Sequence, residues 1–497
     1  MAKAFRNRAS KQHYSSEHQL PLPGFETPFA RKLNPANRWV LLAHKIPWDG
    51  LVNVYQTQMH NTRTGADGIN PRVAIGSLII KHMCDLSDRE TVLQIQENMY
   101  MQYFIGFSSF SDEEPFDPSL FVEFRKRLGA DQINRINEII LGLSDGRQQQ
   151  NKDTGDDNST QQDVQVSAAS TDTQRPNEGR LIVDATACPQ DIRYPTDLDL
   201  LNDAREKSEE LIDLLFCATR HIAKPRTYRR VAHKIYLKTA QKKSKSKKEL
   251  RTAIKRQLNY LRRNIKNIHK LLEEYKSIPL DRYQYKYLLV IQTFYDQQLE
   301  MFIEKKHKVD HRIVSIHQPH VRPIVRGKTN AKVEFGAKIE VSIMNGFSFL
   351  EELSWEAYNE GTRLMATIDR FKKRFGMYPA EVLVDKIYCT RENRRQLKEL
   401  GIRLRAKPLG RPKAVEAHVS PGERNPIEGK FGQAKSAYGL NRIKARLQQT
   451  SQSWIASIIM VLNLVKLAGQ ALIALCLWLL TFSARLSTLL NVKPAIP

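Results

Sequence analysis

The chain has 497 residues, with 78 lysines and arginines against 53 aspartates and glutamates, a formal net charge of +25 at pH 7. That length suits two or three folded units rather than one small core, and the cationic excess points to a polyanionic partner, nucleic acid ahead of an anionic membrane surface. The cysteines Cys84, Cys188, Cys217, Cys389 and Cys476 form no CxxC pair, which argues against a disulfide framework or zinc knuckle and favours a reducing cytoplasm.

The opening MAKAFRNRASKQHY is basic, but no apolar stretch of signal-peptide length follows it. Residues 1–145 read as a helical N-terminal domain. Asn34-Pro35 offers an N-cap and first-turn proline before RWVLLAHKI, Pro47 ends that helix, and Asp117-Pro118 repeats the device before SLFVEFRKRL. Residues 146–179 are polar and nearly free of aromatics, the composition of a disordered linker. Beyond it, LIVDAT, HRIVSIH, KIEVSIM and AEVLVDK are strand candidates. In KIEVSIM, Ile339, Val341 and Ile343 alternate with Lys338, Glu340 and Ser342, the period of a strand with one buried face.

Between the first strands, about 199–306, lies a basic helical insertion in which Ile254, Leu258, Leu261, Ile265, Ile268, Leu272 and Tyr275 recur at steps of four and three. Pro279 breaks this helix, and Tyr287, Ile291, Phe294, Leu299 and Phe302 supply the apolar face of a second, so an antiparallel hairpin is expected, with a dimer seam as the alternative. Helical patterns return over Tyr358–Phe375 and from Asn425 onward, which makes the stretch 180–450 a mixed α/β unit with helices on its faces. The apolar run Trp454–Phe482 is interrupted by Asn463, Lys466 and Gln470; residues 451–497 are expected to pack as helices on the core rather than to span a membrane.

Asp184 and Asp385 each end an apolar strand candidate, where carboxylates project from the sheet and where sites in α/β folds lie, although a lone strand-end Asp is more often a turn or cap residue. In RNPIEGKFGQAK, Asn425 reads as an N-cap, Pro426 as the first helical residue and Glu428 as the third, a position that a capping box alone would explain. Against that reading, Arg424, Glu428 and Lys435 share one helix face, placing a carboxylate between two cations able to bind phosphate.

At these residues the chain resembles the bacterial insertion-sequence transposases with a DDE catalytic triad, in the insertion sequence 5 and 1182 group. The resemblance runs through NPANRWVLLAHKIPW, DLSDRETVLQIQENMYMQYFIG, PFDPSLFVEFRKRLG, LIVDATACPQDIRYPTDLDLLN, QPHVRPIVRGK, VEFGAKIEVS and the two acidic motifs. It implies that Asp184, Asp385 and Glu428 are the catalytic, metal-holding triad of a ribonuclease H-like catalytic domain. In the related Tyr, Arg, Glu, Lys signature, Arg424, Glu428 and Lys435 match and the tyrosine position falls on Pro421. Three carboxylates suit two magnesium or manganese ions, which activate the attacking oxygen and stabilise the leaving one in nicking and again in strand transfer.

The implied partner is double-stranded DNA, as element terminal repeats and target, gripped by a homo-oligomer on paired ends. The N-terminal helices resemble the family's DNA-binding region, with Arg89 and Gln94 candidates to face the end sequence. Arg424, Lys435, Lys386, Arg322, Arg326 and Arg411 are candidates for DNA contact, Arg411 through the minor-groove composition of LGRPK, which a tight loop explains equally well. The basic insertion would add salt-sensitive contacts without sequence choice. His307, His311, His317 and His320 read as ordinary polar residues rather than a zinc site. The alternatives are a ribonuclease H-like nuclease that cuts without joining, and an end-binding repressor with an inactive core.

Overall fold

The computed structural model describes residues 32–59, 68–143, 176–325, 333–406 and 421–489, and their side chains except at 421 and 471–489. Most of the expected linker, and the candidates Arg326 and Arg411, lie outside the described residues.

Among the described residues seven helices come first: α1 (Arg38–Lys45), α2 (Trp48–Gln56), α3 (Pro71–Met83), α4 (Asp88–Glu97), α5 (Met99–Ile105), α6 (Leu120–Arg127) and α7 (Ala130–Ile140). Asn37, not Asn34, caps α1, accepting from the Trp39 amide at 2.9 Å, while Asn34 closes a turn onto the Ala36 amide. Helix α3, capped by Asn70 with Pro71 in its first turn, is buried along its whole length, including Arg72, Lys81 and His82. Burying cations there requires compensation. Asp88 provides it, at 2.9 Å from Lys81 and 2.7 Å from Arg125, and both cations also lie over the Trp454 ring.

Trp454 belongs to α15 (Gln448–Leu489), the last helix among the described residues, whose segment Gln448–Gln470 is long and apolar enough to cross a membrane and is mostly buried within the protein. Its Ile455, Ile458, Ile459, Leu462 and Leu464 lie in one core with α1 to α7 and the back of the sheet. The polar Asn463 is used there: it donates to Asn137 Oδ1 and to the Ser348 carbonyl and accepts from the Ser348 amide, tying α7, the sheet and α15 together.

The sheet comprises β1 (Arg180–Pro189), β2 (Arg322–Val325), β3 (Val333–Met344), β4 (Phe347–Ser354), β5 (Glu381–Leu383) and β6 (Arg403–Arg405). In the order β2-β3-β1-β5-β6, β1 runs antiparallel to β3 and parallel to β5, and β4 pairs with β3 on the edge that β2 also uses. Strand β3 departs from the one-faced pattern that its alternation suggests: Glu340 and Ser342 are as buried as Ile339, Val341 and Ile343. The second face is covered because α12 (Leu364–Phe375) packs there, and hydrogen bonds absorb the polar groups, from Thr367 to Glu340 and from Ser342 to Glu351.

Between β1 and β2 stand α8 (Asp197–Leu215), α9 (Arg229–Ala240), α10 (Lys247–Glu273) and α11 (Arg282–Glu304). Leu258, Leu261, Ile265 and Ile268 of α10 meet Leu201, Leu211 and Ile212 of α8 and Ile291 and Phe294 of α11 in a core of their own. Capping boxes at Ser246 and Asp281 start α10 and α11. Helix α13 (Arg391–Glu399) lies between β5 and β6, and α14 (Asn425–Ala437) lies between β6 and α15.

Candidate active site

Asp184 is the fifth residue of a ten-residue strand rather than a strand end, because the long partner β3 pairs with β1 from Ile182 to Pro189. Asp385 follows β5, which lies beside β1, and opens the 3₁₀ turn Lys386–Tyr388. The two strands therefore deliver two carboxylates side by side. Arg424 joins them, donating from Nη1 to Asp385 and from Nη2 to Asp184, both at 3.0 Å. Burial pushes the Asp184 carboxyl above its ordinary range; Arg424 and the Ala185 amide oppose this, and the charges of Glu360 and Asp385 add to it.

Arg424 is also the residue before α14, and its side chain does not cap the helix, nor is there a capping box at Glu428. Ile427 seats α14 on the sheet by packing with Ile182 and Leu383, each two residues before one of the aspartates. Glu428 is exposed in the first turn. The structure thus brings Asp184, Asp385 and Arg424 together and leaves Glu428 outside that hydrogen-bonded group, with Lys435 half-buried farther along α14 and Lys386 exposed beside Asp385. Arg322 lies on β2 and is engaged with Glu356 and with the carbonyls of Pro319 and Val321. Arg89 is exposed on α4, and Gln94 donates to Glu90 at 3.0 Å. The histidines part company: His311 meets Glu356, His317 the Tyr287 hydroxyl, and His320 the Trp355 ring.

Residues that sequence reasoning passed over hold this ground in place. Tyr388, at the end of the turn that begins with Asp385, is fully buried and donates to Glu340 at 3.1 Å. Thr367 of α12 donates to the same carboxylate at 2.5 Å. Burial raises the Glu340 pKa to about 7 against both hydrogen bonds. A second 3₁₀ turn, Glu360–Thr362, packs on the first so closely that a Cβ at Gly361 would stand 2.7 Å from the Ile387 carbonyl. Asn393 donates to the carbonyls of Gly361 and Tyr388, at 2.7 and 2.8 Å, and clamps the two turns together. Glu360, paired with Lys338 at 2.8 Å, brings a further acid near Asp184. The Asp-Lys-Ile-Tyr spacing was the available signal for Tyr388; Glu340 gave none.

Oxygen donors suit a hard divalent cation, and the two aspartates that one guanidinium reaches are donors of that kind. Among the described residues no group of three or more His, Cys, Asp or Glu side chains is gathered closely enough to hold a metal ion. The fit is therefore to Asp184 and Asp385.

Carboxylates on neighbouring strands are thus joined by one arginine at the start of a helix. Residues 382–465, which include Asp385, Arg424, Glu428 and Lys435, match the family described as Transposase DDE domain, and residues 28–127, spanning α1 to α6, match a second family described as Transposase domain. The chain is also 30% identical over 166 residues, 33% of its length and 68% of the relative's, to the uncharacterized protein ORF8 in the nfe locus of Rhizobium meliloti. No solved structure matches it. The chain belongs to the insertion-sequence DDE transposases, DNA-binding enzymes that generally use divalent metals.

Proposed function

We propose that the protein binds the terminal inverted repeats of its insertion sequence and catalyses both strand cleavage and strand transfer at one site, built on a ribonuclease H-like core. The observation that carries this reading is the Asp184–Arg424–Asp385 bridge between neighbouring strands, inside a chain matched by two transposase families. Residues 1–145 serve as the DNA-binding domain, 146–179 as linker and 180–450 as the catalytic domain with its insertion, against which the C-terminal segment packs through α15. Asp184, Asp385 and Glu428 are the metal-holding acids. Two magnesium or manganese ions supply Lewis acidity at the attacking and the leaving oxygen. Asp184 and Asp385 orient from rigid strands, so little reorganisation is needed when DNA arrives. Glu428 approaches from α14, the element whose position Ile427 sets. Arg424 and Lys435 hold the scissile phosphate, Arg424 through the same planar fork that reaches both carboxylates. Lys386, exposed beside Asp385, together with Arg322, Arg326 and Arg411, contacts flanking backbone. A homo-oligomer on paired ends brings two such sites to one target.

The test is incubation of the purified protein with labelled DNA bearing the element's own ends, with and without magnesium or manganese, resolving nicked from joined products. Metal-dependent nicking and joining, each lost in Asp184→Asn, Asp385→Asn and Glu428→Gln, is the expected result. Normal activity in all three variants would sink the site. Nicking without joining would make the protein a nuclease, and end binding without either would make it an end-occupying repressor.

A further inference from the structure

The insertion carries a feature that the catalytic reading does not use. From Arg229 to Lys270, Glu249 is the one acidic residue, and it is taken up by Lys242 at 2.6 Å. Most of the neighbouring cations have no such neutralisation. On the 27-residue helix α10, Lys248, Lys255, Arg262, Lys266 and Lys270 are all exposed, and none of them makes an ion pair among the described residues. At about 100° per residue they fall within roughly a quarter of the helix circumference, and from first to last they cover about 33 Å. The opposite arc holds Leu261, Ile265 and Ile268 in the insertion's own core, so the basic face cannot turn inward.

Antiparallel α9 extends the field. Arg230, Lys234 and Lys238, at four-residue steps, are likewise exposed, and Lys238, Lys242, Lys248 and Arg256 line a shallow hollow of about 320 Å³ between the two helices. A helix surface that serves only solubility mixes signs, because like charges three or four residues apart repel. Here that repulsion is left standing from Lys248 to Lys270, and an acid, Glu273, meets the same arc only at the helix's last residue. Duplex DNA relieves it: one turn of the duplex is about 34 Å long, and its phosphates supply a dense line of negative charge. Four of the five cations are lysines, point charges that suit phosphate, while Arg262 and Asn259 are planar groups on this face that also match base edges.

We propose that the α9–α10 face of the insertion is a second DNA-binding surface, one that holds about a turn of duplex by its backbone without regard to sequence. It rests on the transposase reading and adds to it a grip for flanking or target DNA, built on a different core from the one beneath the acids.

The test uses the full-length protein and a variant carrying Lys255→Gln, Arg262→Gln, Lys266→Gln and Lys270→Gln. All four positions are exposed, and matched thermal melts establish that the variant is folded. Binding to a random-sequence duplex of about 30 base pairs is measured by fluorescence anisotropy from about 50 to about 300 mM salt. The slope of log K against log salt should shrink by about 0.9 for each phosphate that is no longer neutralised, and affinity near 100 mM salt should fall by about tenfold or more. The weakening should be equal on element-end and random duplexes, and the corresponding Lys→Arg variant should bind as the wild type does. Unchanged slope and affinity in a folded quadruple variant overturn the proposal while leaving end cleavage, and with it the transposase reading, untouched. Stronger binding of single-stranded RNA than of duplex at matched salt would also overturn it. If the wild-type protein binds no DNA at all, both readings fall together.

Discussion

Replacing Glu340 with glutamine should make the protein more resistant to unfolding at alkaline pH and nearly neutral in effect at acid pH. The carboxyl ionises near its ordinary value of 4.5 when the chain is unfolded and at about 7 in the fold, where burial outweighs the hydrogen bonds from Thr367 and Tyr388. Because the folded value is the higher one, the native state keeps a proton that the unfolded state gives up. Stability from this group is therefore fully present below pH 4.5 and is lost as pH rises toward 7. Each pH unit separating the two values is equivalent to about 1.4 kcal/mol, so wild-type stability falls by about 2.5 kcal/mol between pH 5 and pH 8 through this residue alone. Glutamine cannot ionise and removes that slope. Urea unfolding of wild type and Glu340→Gln, followed by tryptophan fluorescence at both pH values, should show their difference in stability changing by about 2 to 3 kcal/mol in favour of the variant at the higher pH. A difference that does not depend on pH would refute the reasoning and would mean that the carboxylate is charged, and satisfied, in the fold.

Tyr388→Phe keeps the ring in its core and removes the bond to Glu340; cleavage should drop while affinity for end DNA holds, and equal losses in both would refute a positioning role. Asp88→Asn should lower unfolding stability by about 3 to 5 kcal/mol, since Lys81 and Arg125 would remain buried without their counter-ion, and urea unfolding measures it. In the wild-type protein, burial pushes the Asp88 carboxyl up, but Arg125 and Lys81 prevail and hold it at about 2, so its contribution should fade as pH falls from 3.8 through 2, read as a falling melting temperature. Asn463→Ala should cost about 1 to 3 kcal/mol by removing the acceptor of the Ser348 amide and the donor to Asn137 Oδ1, measured by denaturant unfolding.

What could be read in advance divides along physical lines. Asp184 and Asp385 were legible as candidates because charged residues beside apolar strand segments have no packing reason to be there; Arg424 was picked out by its helical spacing from Glu428 and Lys435, which gave no sign of its bonds to both aspartates. The amphipathic period of α10 was legible for the same kind of reason, since its apolar seam repeats at steps of four and three. Its partner α8 was not, because Leu201, Ile212 and Leu215 mean little until α10 and α11 are laid against them. Glu340 was misread outright. Alternation with Ile339 and Val341 assigned it to solvent, and only α12, packed across from a distant part of the sequence, turns that face into interior. Asp184 came out mid-strand because pairing with β3, not the local run of apolar residues, sets how far β1 extends. The capping box at Glu428 failed for a similar reason: the residue before the helix is Arg424, whose side chain is drawn away to the two aspartates.

The helix α15 places apolar residues from Trp454 to Leu464 in the same core as α1 to α7, with Trp454 against Lys81, Arg125 and His82. During synthesis, the helices made first therefore wait, with apolar surface and two buried cations incompletely covered, until a segment more than three hundred residues downstream has left the ribosome. A chain halted before Trp454 by a stop codon or a frameshift would leave the N-terminal helices without part of their interior even though every residue of those helices is present. The interior of the first helices is thus shared with the end of the chain that follows them by the whole sheet.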